Sequence, residues 1–495
     1  MANHAKVACM PPRVVSAHRL VPLLGSALDT TPAYRGLADA LRLLVADGRL
    51  PIGTRLPSER DLSAALGVSR TTVSSAYAAL RDSGYLESRR GSGSVTTLPR
   101  DDAGSRTRVA GSALRPGQDV DAEDVIDLTC AAMPAPVGTI AAYEAAVTAL
   151  PHHLGGTGYH PLGLPALREA VAARYTARGL TTTPDQVMIT SGALAGVAVA
   201  TRALLGTGDR VLVENPTYPN AIEALRRAGA RTVPLSVTPA GWDLPIAEAT
   251  LRQTAPRAAY LVPDFHNPTG ALMPDEQRAR LGAALAGGHT VAIVDETMVD
   301  LAHDEMHVAP RPFGAFHGRT VTVGGASKSF WGGLRVGWLR APRDLVASLL
   351  AARLTLDLGA PVLEQLALLH LLEHRDEVLA HRRELIVANR DAFVAELRNR
   401  LPQWGFRVPE GGLSLWVELP EALSTALCVA ADRRGLVLAA GPQFGSEGAF
   451  ERFIRLPFTG LPGERVTDAV QRLAAAWDEA TTRRSTRGTR PPLVA

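Results

Sequence analysis

Six short apolar segments constrain the fold of this chain more than any other feature: VMIT (187–190), RVLVE (210–214), AAYLVP (258–263), TVAIVDE (290–296), TVTVGG (320–325) and GWLRA (337–341). A strand buried on both faces reads as a continuous apolar run, and parallel strands need crossovers, usually helices, between them. The stretches between these runs have helical character, so the pattern predicts an α/β domain with a mostly parallel sheet and helices on both faces. Residues from about 360 to 480 mix long helices with shorter strands such as LSLWVEL (413–419) and predict a smaller α+β subdomain. At about 150 residues per domain, a chain of 495 has room for roughly three units. With 46% hydrophobic and 20% charged residues it can bury a sizeable core, which excludes a mainly disordered chain, a collagen and a small disulfide scaffold.

The first hundred residues are organised differently. Leu37, Ala40, Leu41, Leu44 and Val45 recur at helical spacing, with Gly48 as the expected stop. Ser58, followed by Glu59, Arg60 and Asp61, is an N-cap with acids in the first turn, and predicts a helix from Glu59 to Leu66. Gly67 breaks it, and Ser69 opens another helix carrying Val73, Ala76, Tyr77 and Leu80. Two short helices joined by a tight glycine turn form a helix-turn-helix. Tyr85–Leu86 and Ser94–Val95–Thr96 can pair around RRGSG as a wing.

The second helix of the pair begins Ser69-Arg70-Thr71-Thr72, whose short polar residues suit phosphates at a helix N-terminus. Arg70 can fork onto guanine in the major groove, and Arg60, Arg89 and Arg90 can hold phosphates or enter the minor groove. A solvated face on a helical module is the plain alternative. Charge agrees with the first reading: residues 1–100 carry 13 Lys/Arg against 7 Asp/Glu, whereas the remainder carries 39 against 42. Residues 98–124 are rich in Gly, Ser, Asp, Arg and Pro without apolar periodicity, and read as a flexible linker reaching roughly 30 Å. The expected units are an extension (1–30), the winged helix-turn-helix (31–97), the linker (98–124), the α/β body (125–480) and a tail (481–495).

Lysine usage points to chemistry in the body. Of 52 basic residues only Lys6 and Lys328 are lysines. Arginine replaces lysine at most surface charges, but its permanently protonated guanidinium cannot form an imine with an aldehyde. Lys328 lies in GGASKSFWGGLRVGW after an expected strand, with Arg335 seven residues on. A phosphorylated aldehyde needs an amine for its carbonyl and a cation for its phosphate, and this segment offers both. Asp295 ends TVAIVD at the sheet edge where open α/β folds bind ligands, placed to hold a pyridine nitrogen protonated. Asn267, in HNPTG, can bond a phenolic oxygen, and Ser191-Gly192-Ala193 opens a helix whose amides suit phosphate. Together these describe a site for pyridoxal 5'-phosphate.

Two resemblances agree with this reading. Leu56-Pro57-Ser58, Arg60, Gly67-Val68-Ser69-Arg70, Thr72-Val73 and the wing glycines Gly91 and Gly93 resemble the winged helix-turn-helix of GntR-type regulators. That resemblance implies double-stranded DNA as a partner and Arg60, Ser69, Arg70 and Thr71 as contacts. Residues 125–480 resemble fold type I pyridoxal phosphate enzymes of the aspartate aminotransferase class. The match implies Lys328 as the imine lysine, Asp295 as the pyridinium partner and Asn267 as the phenolate partner. It assigns Ser191, Gly192, Ala193 and Arg335 to the phosphate cup and Tyr218, in ENPTYPN, to stacking on the ring. Arg455, in FIRLPF, takes the role of holding an α-carboxylate, and Tyr159 that of reaching the phosphate across a dimer. For Tyr218 and Tyr159 ordinary packing is the alternative; Trp331, close to the lysine, has two readings of equal weight, lining an effector pocket or packing. Two positions depart from the pattern: Met298 replaces a tyrosine that bonds the ring oxygen, and Gly325 replaces a hydroxyl residue facing the phosphate.

The fusion as a whole resembles the MocR subfamily of bacterial transcription regulators. It implies a head-to-tail homodimer whose body senses pyridoxal phosphate or its imine with an amino compound, Arg455 receiving the effector's carboxylate. The alternative is a working aminotransferase with a DNA-binding head. Cys9, Cys130 and Cys428 are far apart and form no CxxC pair, which predicts the reducing cytoplasm. No apolar run approaches the ~18 residues of a membrane span, nor is there a signal-peptide core. His152, His153, His160 and His266 show no metal spacing, and no metal is expected.

Overall fold

The computed structural model describes residues 13–25, 32–46, 50, 53–89, 93–97, 125–304, 308–445, 448–461 and 463–485. Arg90, Gly91 and the expected linker 98–124 lie outside them.

The head contains β1 (Arg13–Val14), α1 (Ala17–Leu20), α2 (Ala33–Ala46), β2 (Thr54–Arg55), α3 (Glu59–Leu66), α4 (Arg70–Asp82), β3 (Leu86–Arg89) and β4 (Gly93–Thr96). Ser58 caps α3: its oxygen accepts from the Asp61 amide at 3.1 Å and its hydroxyl donates to the Asp61 carboxylate at 2.7 Å. Gly67 closes α3 in the left-handed region (φ 65°), where any side chain would strain the backbone. Leu37, Leu41, Leu44, Leu62, Val73, Tyr77 and Leu80 form the core, and the Tyr77 hydroxyl donates to the Pro57 carbonyl at 2.9 Å. Residues 13–25 belong to the same body. β1 extends the wing sheet, ordered β1-β2-β4-β3, and Leu20 and Leu24 enter the core.

The body opens with β5 (Ile126–Asp127), α5 (Thr139–Ala149) and α6 (Pro165–Ala177). There follow β6 (Val187–Thr190), α7 (Ala193–Leu204), β7 (Arg210–Asn215), α8 (Pro219–Arg227), β8 (Arg231–Thr238), β9 (Gly241–Trp242), α9 (Leu244–Thr254), β10 (Ala258–Leu261), α10 (Asp275–Gly287) and β11 (Val291–Asp295). Next come β12 (Thr320–Gly325), α11 (Ala326–Ser329), β13 (Gly337–Arg340), α12 (Arg343–Arg353) and α13 (Val362–Glu373). The eight strands β6 to β13 form one sheet in the order β6-β13-β12-β11-β10-β7-β8-β9. Neighbours in the run β12-β11-β10-β7-β8 pair parallel, while β13 runs antiparallel to both β12 and β6. Every residue of β6, β10, β11, β12 and β13 is buried, as continuous apolar runs require.

The smaller subdomain uses α14 (Arg375–Arg400), β14 (Gly405–Phe406), β15 (Ser414–Glu418), α15 (Ser424–Asp432), β16 (Leu436–Val437), β17 (Ala439–Ala440), β18 (Phe453–Pro457) and α16 (Gly463–Ser485). Strands β14-β15-β18-β17 form an antiparallel sheet covered by α14, α15 and α16, with Trp404 edge-on to Trp477 at 5.4 Å. The head stands on this subdomain. Leu43 of α2 and Val429 of α15 bury each other, Asp39 pairs with Arg433 at 2.9 Å, and Arg42 pairs with Asp432 at 3.7 Å.

One buried charge pair anchors the loop between β10 and α10, which carries Asn267. Arg278, fully buried, donates to the Met273 carbonyl at 2.7 Å, the Arg311 carbonyl at 3.0 Å and the Asp264 carboxylate at 2.7 Å. Removing one partner leaves an uncompensated charge in the interior, so Asp264→Ala should cost about 3–5 kcal/mol. A fall of that size in unfolding free energy from denaturant titration checks it.

Candidate functional site

The loops that follow β6, β7, β10, β11 and β12 at one edge of the large sheet carry the candidate groups. β6 runs into Ser191 and Gly192 and then α7. Gly192 adopts φ 94°, and no side-chain hydrogen bond caps the helix. The first amides of a helix have no intrahelical acceptor, so this turn presents donors and the positive end of a dipole. Arg335, in the left-handed region at φ 50°, reaches back to the same turn and donates to the Ser191 carbonyl at 3.3 Å. A Cβ on Gly192 would lie 2.8 Å from that guanidinium. One on Gly337 would fall 2.5 Å from the Ala193 nitrogen, so only hydrogen at these positions lets β13 and Arg335 close on the turn. A Cβ on Gly325 would lie 3.1 Å from that of Ala193, a tight approach that a small shift could relieve.

β11 ends at Asp295, almost completely buried. Its Oδ2 accepts from the Tyr260 hydroxyl at 2.9 Å, and its Oδ1 accepts from Thr297 through the amide at 2.9 Å and the hydroxyl at 2.7 Å. Burial pushes its pKa up, while the bonds from Thr297 and Tyr260 and the charge of Lys328 oppose that rise. Sequence reasoning missed Tyr260 and Thr297. Thr297, two residues beyond the aspartate, was detectable as an Asx-type turn, whereas Tyr260 arrives by the β10–β11 pairing and has no local signal. Met298 is buried in the core of the smaller subdomain.

Lys328 sits on α11, half-buried, and its Nζ donates to the Ala131 carbonyl at 2.7 Å. Burial pushes the amine below its ordinary pKa, assisted by Arg455 and opposed by Cys130 and Asp295. A larger fraction is therefore neutral, and nucleophilic, than for a surface lysine. Arg455, on β18, is 97% buried and lies 5.0 Å over the Phe444 ring. It donates to the Thr129 carbonyl and, at 3.5 Å, to Asn267 Oδ1, while its Nε has no partner among the described residues. Burial pushes it down to about 10. Tyr218 precedes α8, half-buried, its hydroxyl accepting from Asn220 at 2.9 Å. Lys328, Asp295, Asn267, Tyr218, Ser191, Gly192, Ala193, Arg335 and Arg455 thus sit around one edge. Tyr159 stands apart in being 65% exposed. Beside the site, an open groove of about 1030 Å³ is lined by Pro136, Ile140, Tyr143, Val147 and Trp331.

A second group missed from sequence is Asp300, which accepts from Arg174 at 2.9 Å, from Arg375 at 2.7 Å and from the Ser329 hydroxyl at 2.9 Å. It fastens the lysine-bearing turn to α6 and to the start of α14. Although buried, it is held well below the usual carboxylate range by the two guanidinium groups. A depressed carboxylate stabilises the fold above its unfolded pKa, and that increment is lost as pH falls through the folded value. Asp300→Asn should therefore lower stability at neutral pH and lose less than the parent on acidification below about pH 4. Denaturant midpoints measured from pH 7 to pH 2 test this.

The head presents its own surface. Arg60, Ser69, Arg70 and Thr71 are exposed at the adjoining ends of α3 and α4, and Thr72 is half-exposed. The Arg70 side chain is 73% exposed, with only a 3.9 Å approach to Glu59. Ser69 caps α4, accepting from the Thr72 amide at 3.1 Å, with its hydroxyl 2.9 Å from that of Thr72. Both hydroxyls thus shape the helix start, while Arg60, Arg70 and Thr71 stand free of that task. Arg89 lies at the end of β3, and Arg90 and Gly91 fall outside the described residues.

Residues 123–473 match the family aminotransferase class I and II, and residues 33–95 match the bacterial regulatory proteins of the gntR family. The chain is 29% identical over 459 residues to the HTH-type transcriptional regulator YdcR of Escherichia coli, spanning 89% of this chain and 98% of that protein. It is 34% identical over 336 residues to the probable rhizopine catabolism regulatory protein MocR of Rhizobium meliloti, spanning 63% and 66%. Among solved structures, the α-aminoadipate aminotransferase LysN of Thermus thermophilus, complexed with N-(5'-phosphopyridoxyl)-L-leucine, superposes with a TM-score of 0.66 at 28% identity, covering 73% and 94% of the two chains.

Proposed function

The chain belongs to the aminotransferase class I and II family and carries a gntR-family head, the architecture of MocR-type regulators, and from that premise we propose that it is a transcription regulator whose body binds pyridoxal 5'-phosphate and senses the cofactor, alone or with an amino compound. One observation carries the reading. The subdomain that holds Arg455 also carries α15, on which α2 of the DNA-binding head stands.

The residues present fit the cofactor. Gly192 and Gly337 leave a cradle that a Cβ would fill, Arg455 keeps a buried donor without a partner among the described residues, and Lys328 is an amine with a depressed pKa. LysN, similar over most of the body, holds a phosphopyridoxyl adduct. Bound there, pyridoxal phosphate supplies an aldehyde carbon and an electron-withdrawing ring. Lys328 would meet that carbon with its Nζ. Asp295 is kept in place by Tyr260 and Thr297 as the anionic partner of a ring N–H, and Asn267 donates to the phenolic oxygen. Ser191, Gly192, Ala193 and Arg335 hold the phosphate, and Tyr218 covers the ring. Arg455 receives the carboxylate of an amino effector as a bidentate donor.

The body also has the surface for a second copy. Val137, Ile140 and Val147 are 72%, 77% and 57% exposed on and before α5, an apolar face that water does not favour. A head-to-tail homodimer covering it would bring the exposed Tyr159 to its partner's phosphate site and pair the two heads for a two-fold operator in double-stranded DNA. Arg70 reads bases, and Arg60, Thr71 and the wing, with Arg89, Arg90 and Gly91, hold the backbone. The compartment of such a regulator is the cytoplasm. Consistent with that, no helix among the described residues is long and apolar enough to cross a membrane. A working aminotransferase with a DNA-binding head is the second reading, favoured by the convergence of Lys328, Asp295, Asn267 and Arg455.

Purified protein mixed with pyridoxal phosphate should develop a visible absorption band that Lys328→Ala lacks, and one class of amino compound should shift it without regenerating turnover. Sustained conversion of an amino acid and a 2-oxo acid selects the enzyme instead, and no lysine-dependent band rejects both. For the head, Arg70→Ala should weaken binding to the selected operator by about 1–3 kcal/mol and relax base preference at one position. Arg60→Ala should weaken all duplexes alike and flatten the salt dependence. Fluorescence anisotropy across a salt series reads both.

A further inference from the structure

Among residues not assigned to the sheet-edge site, α13 closes with His370-Leu371-Leu372-Glu373 and is followed by His374. A four-residue spacing brings two side chains to one helix face, and here the His370 and His374 rings lie 4.4 Å apart, tilted by 31°. Glu373 joins them: one ligand atom from each of the three residues falls within 4.8 Å of the others. His370 is half-buried, and Glu373 and His374 are exposed. A further hydrogen bond bears on what the rings can do. His374 Nδ1 lies 3.0 Å from the His370 carbonyl. A carbonyl only accepts, so Nδ1 carries the proton, and the neutral ring keeps its lone pair on Nε2. Metal-binding imidazoles are oriented in this way, one nitrogen fixed to a carbonyl or carboxylate and the other free for the ion. Glu373 has no ion pair among the described residues, and the neighbouring guanidinium of Arg375 is already engaged by Asp300 and Asp376, each at 2.7 Å.

We propose that His370, Glu373 and His374 form a binding site for a divalent transition cation, Zn²⁺ above all, with the remaining position open to water. Two imidazoles and one carboxylate favour zinc, cobalt, nickel or copper over magnesium or calcium, which take oxygen ligands. Tetrahedral bonds of about 2.0–2.1 Å place ligand atoms about 3.3 Å apart, so the three groups must draw together from their present separation of up to 4.8 Å. The site directly precedes Arg375, which holds Asp300, and Asp300 in turn receives the hydroxyl of Ser329 beside Lys328. A cation here sits at the junction from which α14 runs into the subdomain that supports the head. The site is independent of the cofactor proposal, because none of its ligands lines the sheet edge. Its sequence signal was the His-x-x-x-His spacing on a helix, in a different part of the chain from the four histidines considered above.

The test is titration of the full-length, cofactor-free protein with Co²⁺, read by visible absorption. The proposal expects one saturable equivalent per chain, displaced by Zn²⁺. His370→Ala and His374→Ala should each weaken it at least tenfold, and Glu373→Gln should weaken it less. Cys130→Ser should leave the step in place, which separates the site from an exposed thiol. Glu373→Gln, His374→Ala and Cys130→Ser should melt as the parent does, since those side chains are exposed, and the melting curve of His370→Ala, whose side chain is half-buried, separates lost binding from lost fold. Absence of a saturable step in the parent up to about 1 mM Co²⁺ overturns the proposal. So does an unweakened step in the His370→Ala/His374→Ala double variant.

Discussion

A sheet covered on both faces can present polar chemistry only where its strands end, and that constraint organises this molecule. β6, β10, β11 and β12 are buried along their whole length, so no charged side chain can be mounted on their faces without loss of hydration. The parallel register then delivers Tyr218, Asn267, Asp295 and Lys328 to a single edge, and the two antiparallel pairings of β13 bring Ser191, after β6, to the same edge. Close approach at that edge demands glycine, and Gly192 and Gly337 mark where β13 and the α7 turn touch backbone to backbone. One geometric fact thus accounts for both the position of the site and the residues that line it.

The polar groups drawn into this edge pull on one another's ionisation. Lys328 and Arg455 lose hydration and move toward the neutral side, and Asp295 moves upward for the same reason. Asp300, whose side chain is also largely buried, moves the opposite way because Arg174 and Arg375 meet it directly. The two aspartates, five residues apart, show that the partner and not the burial decides the sign. The outcome is a lysine primed by desolvation on a turn held rigid through Ser329.

The contact between head and smaller subdomain is of another kind. Arg433 bridges Asp39 of α2 and Glu479 of α16, but these side chains remain a sixth to a third exposed. Such pairs contribute about 0–1 kcal/mol each and weaken with salt, and the Leu43–Val429 contact adds a single buried pair. These head-to-subdomain contacts are therefore individually weak and salt-sensitive.

Local pattern was enough to determine much of the protein. Ser58, Gly67 and Ser69 encode the ends of α3 and α4 because caps depend on the backbone within a few residues. The apolar runs encoded the strands because burial on two faces leaves no alternation, and the rarity of lysine isolated Lys328. Several features were decided only by the tertiary structure. Tyr260 meets Asp295 across two paired strands, Asp300 meets Arg174, Ser329 and Arg375 from four separate segments, and residues 13–25 complete the head by adding a strand to its wing. None of these has a signature in sequence, because a hydrogen bond between distant segments depends on register and packing that no single window contains. The sequence singled out the lysine; the fold supplied the neighbours that shift its pKa and fasten the turn that carries it.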